Sequence, residues 1–501
     1  MKNSIFVAGM IFFLISCGQE KKHMSIKEFP VAVDSIFQKS CAIAGCHLPD
    51  EHDLAKALHL PNNLDLSSWS GLFEGGENGA AVVAYRADKS HMMGHIRGVM
   101  DPRMPPNYAP YNKDTLVASD VTIIQSWIED GAPSLEGNIP FEHVRNKIFT
   151  TNQINDIVSV LDARTHNIMR VFDVGDRPQN ESPHGIEVSR DGKYFYTSMI
   201  ATGDVFKYDA KTGELIDKAA LLDPVALIKL SQDGSKLYVT TKFEVNNTGN
   251  NGRITVLNTE TMSEIKSIPV GVSPHGINLS KDGTLLYVSA VYSDRIYVIN
   301  TQADTLATHF DVADDVTPTP KYEPYHIGMG PKNNSGYENL LFITCRKNAQ
   351  VRIFQRTKTN NGNTFTFKQA INVGHNTNAK PIQLDVLPDG SAVFVANSND
   401  SSITVIKKNA EGYYKETDIT AQTSDDGKTF HRLAQPNGVS VSPDGSLVYV
   451  SNRNKDGAII PHHGGSGGTG LITVIDVSTN KILKTLEVDP DAYSVFVSYP
   501  R

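Results

Sequence analysis

Short apolar runs separated by turn residues fill the chain from about residue 144 to its end. Six segments align in this region, and each has a short apolar strand, a turn and a second strand rich in Tyr, Val and Phe. They begin at Pro183, Val225, Pro274, Pro324, Pro381 and Pro436. Five of the six have Asp-Gly at the turn, which predicts two-residue hairpins because both central residues of a type I′ turn need positive φ.

A third and a fourth strand follow the hairpins, as in ITVLNTETM with EIKSIPVG and ITVIDVSTN with ILKTLEVD. Four strands that recur at a spacing of roughly 40–50 residues are typical of propeller blades. Such a sheet cannot bury both faces alone, so we expect the blades to stack around a common axis. An open β-sandwich is the alternative, which the regular period disfavours.

The two ends of this region together predict a seventh blade. The C-terminal DPDAYSVFVSYP has the pattern of an innermost strand with no continuation. The segments KIFTTNQ, DIVSVLD and IMRVFDVG, near the start of the region, supply the other three strands. The sequence therefore predicts an all-β seven-bladed propeller over residues 144–501, closed by strands from both of its ends.

This region also resembles the YVTN-type propeller family. The resemblance is carried by YVT at Tyr238–Thr240, by YVS at Tyr287–Ser289 and Tyr449–Ser451, and by SPDG at Ser442–Gly445. It is specific for the fold and weak for function, since one fold hosts many unrelated sites.

The preceding region has a helical pattern instead. Apolar residues fall at helical spacing in VAVDSIFQKS, which runs into Cys41, and in SDVTIIQSWIEDGAP, where Ser119 is the expected N-cap and Gly131 the expected stop. We expect a small all-α domain over residues 28–135, joined by a linker at 136–143 to the propeller. The chain is therefore predicted to be multidomain.

The first seventeen residues, MKNSIFVAGMIFFLISC, have the pattern of a signal peptide, followed by a polar tether at 18–27. The apolar run is too short to span a bilayer. Its end, Leu14 to Cys17, resembles the bacterial lipobox, which implies cleavage before Cys17 and lipidation of that cysteine. We therefore expect an exported protein, lipid-anchored at the cell envelope on a periplasm-facing or cell-surface side. An ordinary signal peptide is the alternative.

Composition narrows the class of partner. The formal net charge is −8 with a pI near 6.1, and no basic surplus points to nucleic acid. The chain has four cysteines, too few for a disulfide-stapled scaffold of this length. One of them, Cys345, lies in the apolar run LLFITC and is expected in a buried strand.

A Cys-x4-Cys-His motif at Cys41, Cys46 and His47 predicts covalently bound haem c. Two thiols form thioethers with the haem vinyl groups, and the adjacent histidine ligates the iron. The usual spacing is Cys-x2-Cys-His, and the two extra residues are expected to loop out. A Cys41–Cys46 disulfide in a domain that has lost its haem is the main alternative. Zinc is disfavoured because only three ligands cluster.

The segments that follow the motif, LDLSSW, GGENGAAVV, KSHMMGHI, DPRMPP and WIEDGAP, resemble the small cytochrome domain of planctomycete exported proteins. This resemblance implies that Cys41 and Cys46 hold the haem, that His47 is the proximal ligand and that Met104 is the distal one. A thioether ligand raises the potential and suits electron transfer. The rival distal ligands are His91, Met92, Met93, His95 and Met100.

Histidines recur in the propeller repeats. His184 and His275 occupy the same place in two repeats, and His326 lies one position over in a third. The stretches 182–192 and 273–283 resemble the propeller of nitrous oxide reductase, where channel histidines hold copper, although the cupredoxin domain of that family is missing here. The three histidines are therefore candidates for an additional metal site in the channel. Alternatively, they line a wet channel or cap strands by hydrogen bonding.

Three functions follow from these patterns. The first is an electron-transfer lipoprotein that binds haem, meets a redox partner protein and uses its propeller as a docking or ligand-binding platform. The second is a periplasmic oxidoreductase with a metal or substrate site in the channel and the haem as electron port. The third is an interaction module with a relic cytochrome domain. No Ser-His-Asp elbow, P-loop or dinucleotide fingerprint adds another enzyme class.

Overall fold

The computed structural model describes residues 28–43, 46–48, 63–77, 79–107, 113–241, 251–313, 321–334, 336, 338–360, 362–423, 430–459 and 468–500. The predicted signal peptide, Cys17 and the tether lie outside the described residues. No helix in the described ranges is long and apolar enough to cross a bilayer.

The N-terminal domain is all-α, as expected. Its helices are α1 (Val31–Ser40), α2 (Trp69–Glu74), α3 (His91–Arg97) and α4 (Ala118–Glu129). The first and last were predicted, but the expected N-cap was wrong. Helix α4 begins at Ala118, one residue before Ser119, and its N-cap Val117 makes no side-chain capping bond.

The core of this domain lies where α1 and α4 meet. Phe29, Phe37 and Trp127 contact one another edge to face, with ring centroids 5.0–6.1 Å apart. Ile124 and Ile128 of α4 are fully buried in the same cluster. Aromatic rings pack well in this T-shaped arrangement, so these side chains fix the two helices against each other.

Seven four-stranded sheets form the propeller. Blade 7 contains β1 (Lys147–Asn152), β2 (Ile157–Asp162) and β3 (Ile168–Asp173). Blade 1 contains β4 (Pro183–Val188), β5 (Tyr194–Met199), β6 (Asp204–Asp209) and β7 (Leu215–Ala220). Blade 2 contains β8 (Val225–Leu230), β9 (Lys236–Thr241), β10 (Asn251–Asn258) and β11 (Glu264–Val272), and blade 3 contains β12 (Pro274–Leu279), β13 (Leu285–Ala290), β14 (Arg295–Asn300) and β15 (Thr305–Asp311).

The remaining strands complete the ring. Blade 4 is β16 (Pro324–Met329), β17 (Leu340–Cys345), β18 (Gln350–Thr359) and β19 (Gly362–Asn372); blade 5 is β20 (Pro381–Val386), β21 (Ala392–Asn397), β22 (Ser402–Lys408) and β23 (Tyr413–Ile419); a ribbon of β24 (Gln422–Thr423) and β25 (Phe430–His431) follows; blade 6 is β26 (Pro436–Val441), β27 (Leu447–Asn452), β28 (Gly470–Asp476) and β29 (Lys481–Val488); β30 (Ala492–Ser498) is the inner strand of blade 7.

Blade 7 closes the ring with strands from both ends of the region. Strand β30 pairs antiparallel with β1, with Phe496 opposite Phe149, and the sheet order is β3-β2-β1-β30. The predicted seven-bladed propeller is confirmed, including this closure. The prediction that Cys345 is a buried strand residue is also confirmed, since it is fully buried at the end of β17.

The predicted type I′ turn of the inner hairpins is wrong. In each Asp-Gly pair only the glycine has positive φ, for example 72° at Gly192. The Ser189 carbonyl accepts from the Gly192 amide at 2.8 Å, and the Ser189 amide donates to the Tyr194 carbonyl at 2.8 Å. The loop therefore has four residues, 190–193, rather than two. The carboxylate of Asp191 accepts from the Ser189 hydroxyl and the Lys193 amide, and these bonds stabilise the longer turn.

Every inner strand has the same register against its neighbour. The first residue of each inner strand lies opposite the last residue of the next strand out, as with Pro183 and Met199, or Ala492 and Asn152. Residues at one position of the inner strands therefore lie at one level of the channel. The second residues are His184, Ala226, His275, Tyr325, Ile382, Asn437 and Tyr493.

The helical domain packs against the outer part of blade 7. Val83 joins a buried cluster with Ile157 of β2 and Val171 of β3. Asn167, in the turn between these strands, donates to the backbone of α2 at 2.6 Å. The predicted linker is packed as well, because Phe141 contacts the cores of both domains.

Candidate functional site

The Cys-His segment begins where α1 ends. The Cys41 amide donates to the Phe37 carbonyl at 2.8 Å, the last helical bond of α1. The chain then turns, and the His47 amide donates to the Cys41 carbonyl at 3.2 Å. This bond ties the two ends of the motif together. Residues 44 and 45, which belong to the predicted loop between the cysteines, lie outside the described residues.

The imidazole of His47 has one defined tautomer. Its Nδ1 lies 3.0 Å from the Leu64 carbonyl, which only accepts, so Nδ1 carries the proton and Nε2 keeps its lone pair. Burial lowers the pKa of His47, while the bond to Leu64 opposes that shift. A neutral histidine whose other nitrogen donates to a carbonyl is the form that ligates a metal.

The two thiols of the motif are free. Cys41 and Cys46 are both half-buried and form no disulfide with each other. Burial, aided by the neighbouring Cys46, raises the pKa of Cys41 to about 12. The disulfide alternative is therefore not formed in this structure, and the motif presents two thiols beside a ligating histidine. These groups fit covalent haem.

Met104 lies in the loop that follows α3. Its amide donates to the His95 carbonyl at 3.0 Å, and its side chain is half-buried. Two of the rival distal ligands, Met92 and Met93, are buried in the hydrophobic core at 8% and 1% exposure. Met100 packs against the Gly94 backbone, where an added Cβ would meet its sulfur at 2.5 Å. Met104 therefore remains a candidate ligand, as does half-buried His95.

A second group of polar side chains meets in the propeller channel. His184 and His275 hold the second position of β4 and β12, with the small Ala226 on the blade between them. Their Nε2 atoms lie 3.3 Å apart, and both rings are buried. Because the two histidines hold the same position in two blades, the fold brings together side chains that are 91 residues apart in the sequence.

Two tyrosines complete this group, which we name the axial quartet: His184, His275, Tyr325 and Tyr493. The ring of Tyr493 stacks on His184 and that of Tyr325 stacks on His275, each pair with centroids 3.8 Å apart. The two tyrosine hydroxyls lie 3.2 Å from each other. Sequence reasoning missed both tyrosines, although they hold the same inner-strand position as the histidines.

Arg453 and Gln153, which lie outside the quartet, fix the direction of its hydrogen bonds. Arg453 donates to Gln153 Oε1 at 2.9 Å, so the amide nitrogen of Gln153 donates to His184 Nδ1, also at 2.9 Å. The proton of His184 is then on Nε2 and points to His275 Nε2, whose own proton on Nδ1 faces the Tyr325 carbonyl at 3.3 Å. Burial lowers the pKa of both histidines well below the usual value, so both are neutral.

His326 does not join the quartet. It occupies the next position of β16 and is hydrogen-bonded to the Leu384 backbone, while its Nδ1 is buried without a partner. Burial lowers its pKa to about 4. The structure thus unites two of the three predicted metal ligands, and within the described ranges no group of three or more His, Cys, Asp or Glu is placed to hold a metal.

A family comparison concerns the region of the Cys-His segment. The family model for planctomycete cytochrome c matches residues 44–107. Cys46, His47 and Met104 lie inside the matched range, and Cys41 lies just before it. The chain therefore contains a planctomycete-type cytochrome c domain, followed by a seven-bladed propeller.

One curated relative is similar to part of the chain. Antigen Lp49 of Leptospira interrogans is 26% identical over 240 residues, which are 43% of this chain and 46% of that protein. The chain thus spans about half the length of this relative.

Solved structures show the propeller fold. A Lactobacillus plantarum protein matches with a TM-score of 0.53 at 15% identity, covering 70% of this chain and 99% of its own. The periplasmic gluconolactonase of Pseudomonas aeruginosa matches with a TM-score of 0.52 at 16% identity, covering 71% and 99%. At such identities the likeness shows the propeller fold alone.

Proposed function

We propose that this chain is an exported c-type cytochrome that carries electrons on one covalent haem and uses its propeller as a docking or ligand-binding platform. The observation that carries the proposal is the bond from His47 Nδ1 to the Leu64 carbonyl, which leaves Nε2 as a ligand beside two free thiols. The family match over residues 44–107 supports the same assignment.

Each residue of the motif has a distinct role in this proposal. The thiols of Cys41 and Cys46 would hold the haem through thioethers, and the His47 nitrogen and the Met104 sulfur would ligate its iron. The haem supplies a one-electron iron couple. The Leu64 carbonyl keeps the His47 ring oriented and makes the lone pair of Nε2 a stronger metal ligand. The buried cluster that includes Phe37 and Ala42 packs against Cys41, and a thioether as the sixth ligand would favour electron transfer over oxygen chemistry.

The same proposal places the protein at the cell envelope. The lipobox-like sequence that ends at Cys17 supports a lipid anchor there. An anchored cytochrome meets a redox partner protein on the same surface, and the propeller supplies area for that contact. Globomycin treatment with a shift in gel mobility tests the anchor, and Cys17→Ser is expected to abolish the shift.

Haem staining of the denatured full chain tests the cofactor. The chain is expressed in a host competent for cytochrome c maturation, and wild type is expected to stain and to show a reduced c-type spectrum. Cys46→Ala and Cys41→Ala are each expected to reduce covalent haem sharply. Cys345→Ala is the matched control, since it removes a buried thiol in β17 and is expected to keep the stain. An unstained wild type with a Cys41–Cys46 disulfide contradicts the proposal.

The distal ligand is tested by the reduction potential of the loaded protein. Met104→Ala is expected to lower the potential by about 100 mV or more, because a thioether ligand favours ferrous haem. Met100→Ala, a neighbouring methionine on the same loop, is expected to leave the potential nearly unchanged. If His95→Ala instead removes the low-spin spectrum, His95 rather than Met104 is the distal ligand.

A further inference from the structure

Two arginines stand over the axial quartet in the same way. Arg346 follows β17, donates from Nε to Glu323 at 2.7 Å and lies 4.7 Å from the centre of the Tyr325 ring. Arg453 follows β27, donates from Nε to Asp491 at 2.5 Å and lies 4.7 Å from the Tyr493 ring. The sequence thus builds one unit twice: an arginine held by a carboxylate above a tyrosine that stacks on a histidine.

The two units meet at the axis of the channel, at the same end of the inner strands. The tyrosine hydroxyls beneath them lie 3.2 Å apart, and the charge of Arg453 acts on Tyr325 as well as on Tyr493. Each carboxylate holds the Nε edge of its arginine. Within the part of the chain that the structure describes, the Nη atoms of Arg346 and Nη1 of Arg453 donate to no protein group.

A third cation lies beside the pair. Lys380 immediately precedes β20, between the blades that carry the two arginines. Its pKa is lowered, first by burial and then by the charges of Arg346 and Arg453. Lys380 forms no ion pair with the described carboxylates. Lys455 also lies 3.6 Å from Asp491. Four cations (Arg346, Arg453, Lys380 and Lys455) therefore face the carboxylates of Glu323 and Asp491 at this end of the channel, in a chain whose net charge is −8.

The floor of this spot is polar and closed. The quartet hydrogen-bonds across the axis, so a ligand entering at this end meets hydroxyls and imidazoles instead of passing through the channel. The side chains of Arg346 and Arg453 are 18% and 23% exposed, so solvent reaches them. Guanidinium groups with free Nη donors bind planar oxyanions through paired hydrogen bonds.

We propose that this end of the channel binds the carboxylate or phosphate group of a small anionic ligand through Arg346, Arg453 and Lys380. The ligand rests on the paired tyrosine hydroxyls, and its size is limited by the closed quartet. The inference gives a ligand class to the platform role proposed above, and the site is separate from the haem motif.

Titration calorimetry at low ionic strength tests the site on the full chain, with succinate and inorganic phosphate as the probes and sodium chloride as the ionic control. We expect saturable binding of one or both, and the tighter probe identifies the anionic group. Arg346→Gln and Arg453→Gln are each expected to weaken binding about tenfold or more, since each removes charge-assisted bonds. Lys380→Gln, which has no described partner to lose, is expected to weaken it severalfold without unfolding the protein.

Arg295→Gln is the matched control. Arg295 also donates from Nε to a carboxylate, Asp311 at 2.6 Å, but on the outer strands of blade 3. It is expected to change affinity less than twofold. No saturable binding of either probe, or equal losses in the control, overturns the proposal. Arg346→Lys and Arg453→Lys keep the charge if the glutamine variants misfold, and both are expected to bind more weakly than wild type.

Haem staining of each variant separates the two proposals. Stained protein that binds neither probe removes the ligand site and leaves the cytochrome function. Unstained protein that still binds succinate or phosphate through Arg346 and Arg453 removes the cytochrome function and leaves the ligand site.

Discussion

At the scale of single residues, burial sets the protonation of several histidines in this molecule. Burial lowers the pKa of His47, His184 and His275, and it lowers those of His166 and His326 to about 4. A histidine whose folded pKa is depressed binds fewer protons than it does in the unfolded chain. Its contribution to stability is present above the unfolded pKa and is lost as the pH falls toward the folded value.

His166 allows a clean test of this pH dependence. It lies in the turn between β2 and β3 with φ of 61°, its ring edge faces Tyr449 at 5.8 Å, and its Nε2 is buried without a partner. His166→Asn tolerates the positive φ and removes the titration. Between pH 7.5 and 5 we expect the free energy of unfolding of wild type to fall by about 2 kcal/mol more than that of the variant. The reason is that below pH 6.5 the unfolded His166 takes up a proton that the folded ring does not, which costs about 1.4 kcal/mol per pH unit.

The measurement is urea unfolding at the two pH values, followed by tryptophan fluorescence and circular dichroism. At pH 7.5 the ring is neutral in both states, so this point reports only the packing change caused by the substitution. Parallel pH dependences of the two proteins contradict the assignment of a depressed pKa to His166.

Site residues were predictable where residue type and position coincide. The Cys-His motif is contiguous, and His184 and His275 share a repeat position. Tyr325 and Tyr493 share that position too, but tyrosine is not a usual metal ligand, so the histidine pattern did not indicate them. The Leu64 carbonyl that fixes His47 could not be predicted, because backbone groups have no sequence signature.

At the scale of elements, the inner hairpins show how one turn is adjusted from blade to blade. Gly234 and Gly283 occupy the same position with φ of 76° and 74°. A Cβ added at Gly234 would meet no atom within 4 Å. At Gly283 it would collide with the side chain of Gln232, which lies in the turn of the preceding blade.

These surroundings predict different costs for one substitution. Gly234→Ala is expected to lower the free energy of unfolding by about 1–2 kcal/mol, from backbone strain alone. Gly283→Ala is expected to cost more, because strain and collision add. The double variant Gly283→Ala with Gln232→Ser is expected to recover part of the extra cost, because serine removes the Oε1 and Cδ atoms of Gln232 but keeps its Cβ, which lies 2.8 Å from the added Cβ. Urea unfolding measures all three, and equal costs for the two single variants contradict the role of Gln232.

The repeat made the strands predictable, while shorter elements were not. Period-two patterns recur in every blade, so each copy supports the others. Helices α2 and α3 have six and seven residues, too few for a helical period to be visible. The start of α4 was misplaced because its first turn is exposed and its N-cap, Val117, makes no side-chain bond, so neither packing nor a capping residue marks the first residue of the helix.

At the scale of the whole molecule, the helical domain is fixed to the blade that closes the ring. Its contacts fall on outer strands and turns: Arg86 pairs with Asp173 at the end of β3, and Lys89 pairs with Asp489 after β29. The axial quartet lies on inner strands instead. The proposed haem and ligand sites therefore belong to separate parts of the molecule.

Asn167 is the residue on which this docking is best tested. It is fully buried, and its amide donates to the carbonyls of Phe73 at 3.3 Å and Glu74 at 2.6 Å. The next residue, Gly75, has φ of 75° and approaches so closely that a Cβ would lie 2.5 Å from that amide. Asn167→Ala leaves two interfacial carbonyls without a donor, which is expected to cost about 1–3 kcal/mol.

Limited proteolysis and urea unfolding measure the effect. Because Phe141 packs on both domains, weakened docking is expected to speed cleavage near residues 136–143 before the propeller itself is cut. Arg164→Ala is the matched control: it removes an ion pair from the same turn to Glu74, with both side chains more than half exposed at 69% and 60%. Exposed pairs contribute about 0–1 kcal/mol, so this variant is expected to behave as wild type. If it destabilises as much as Asn167→Ala, charge rather than the buried amide holds the domains together.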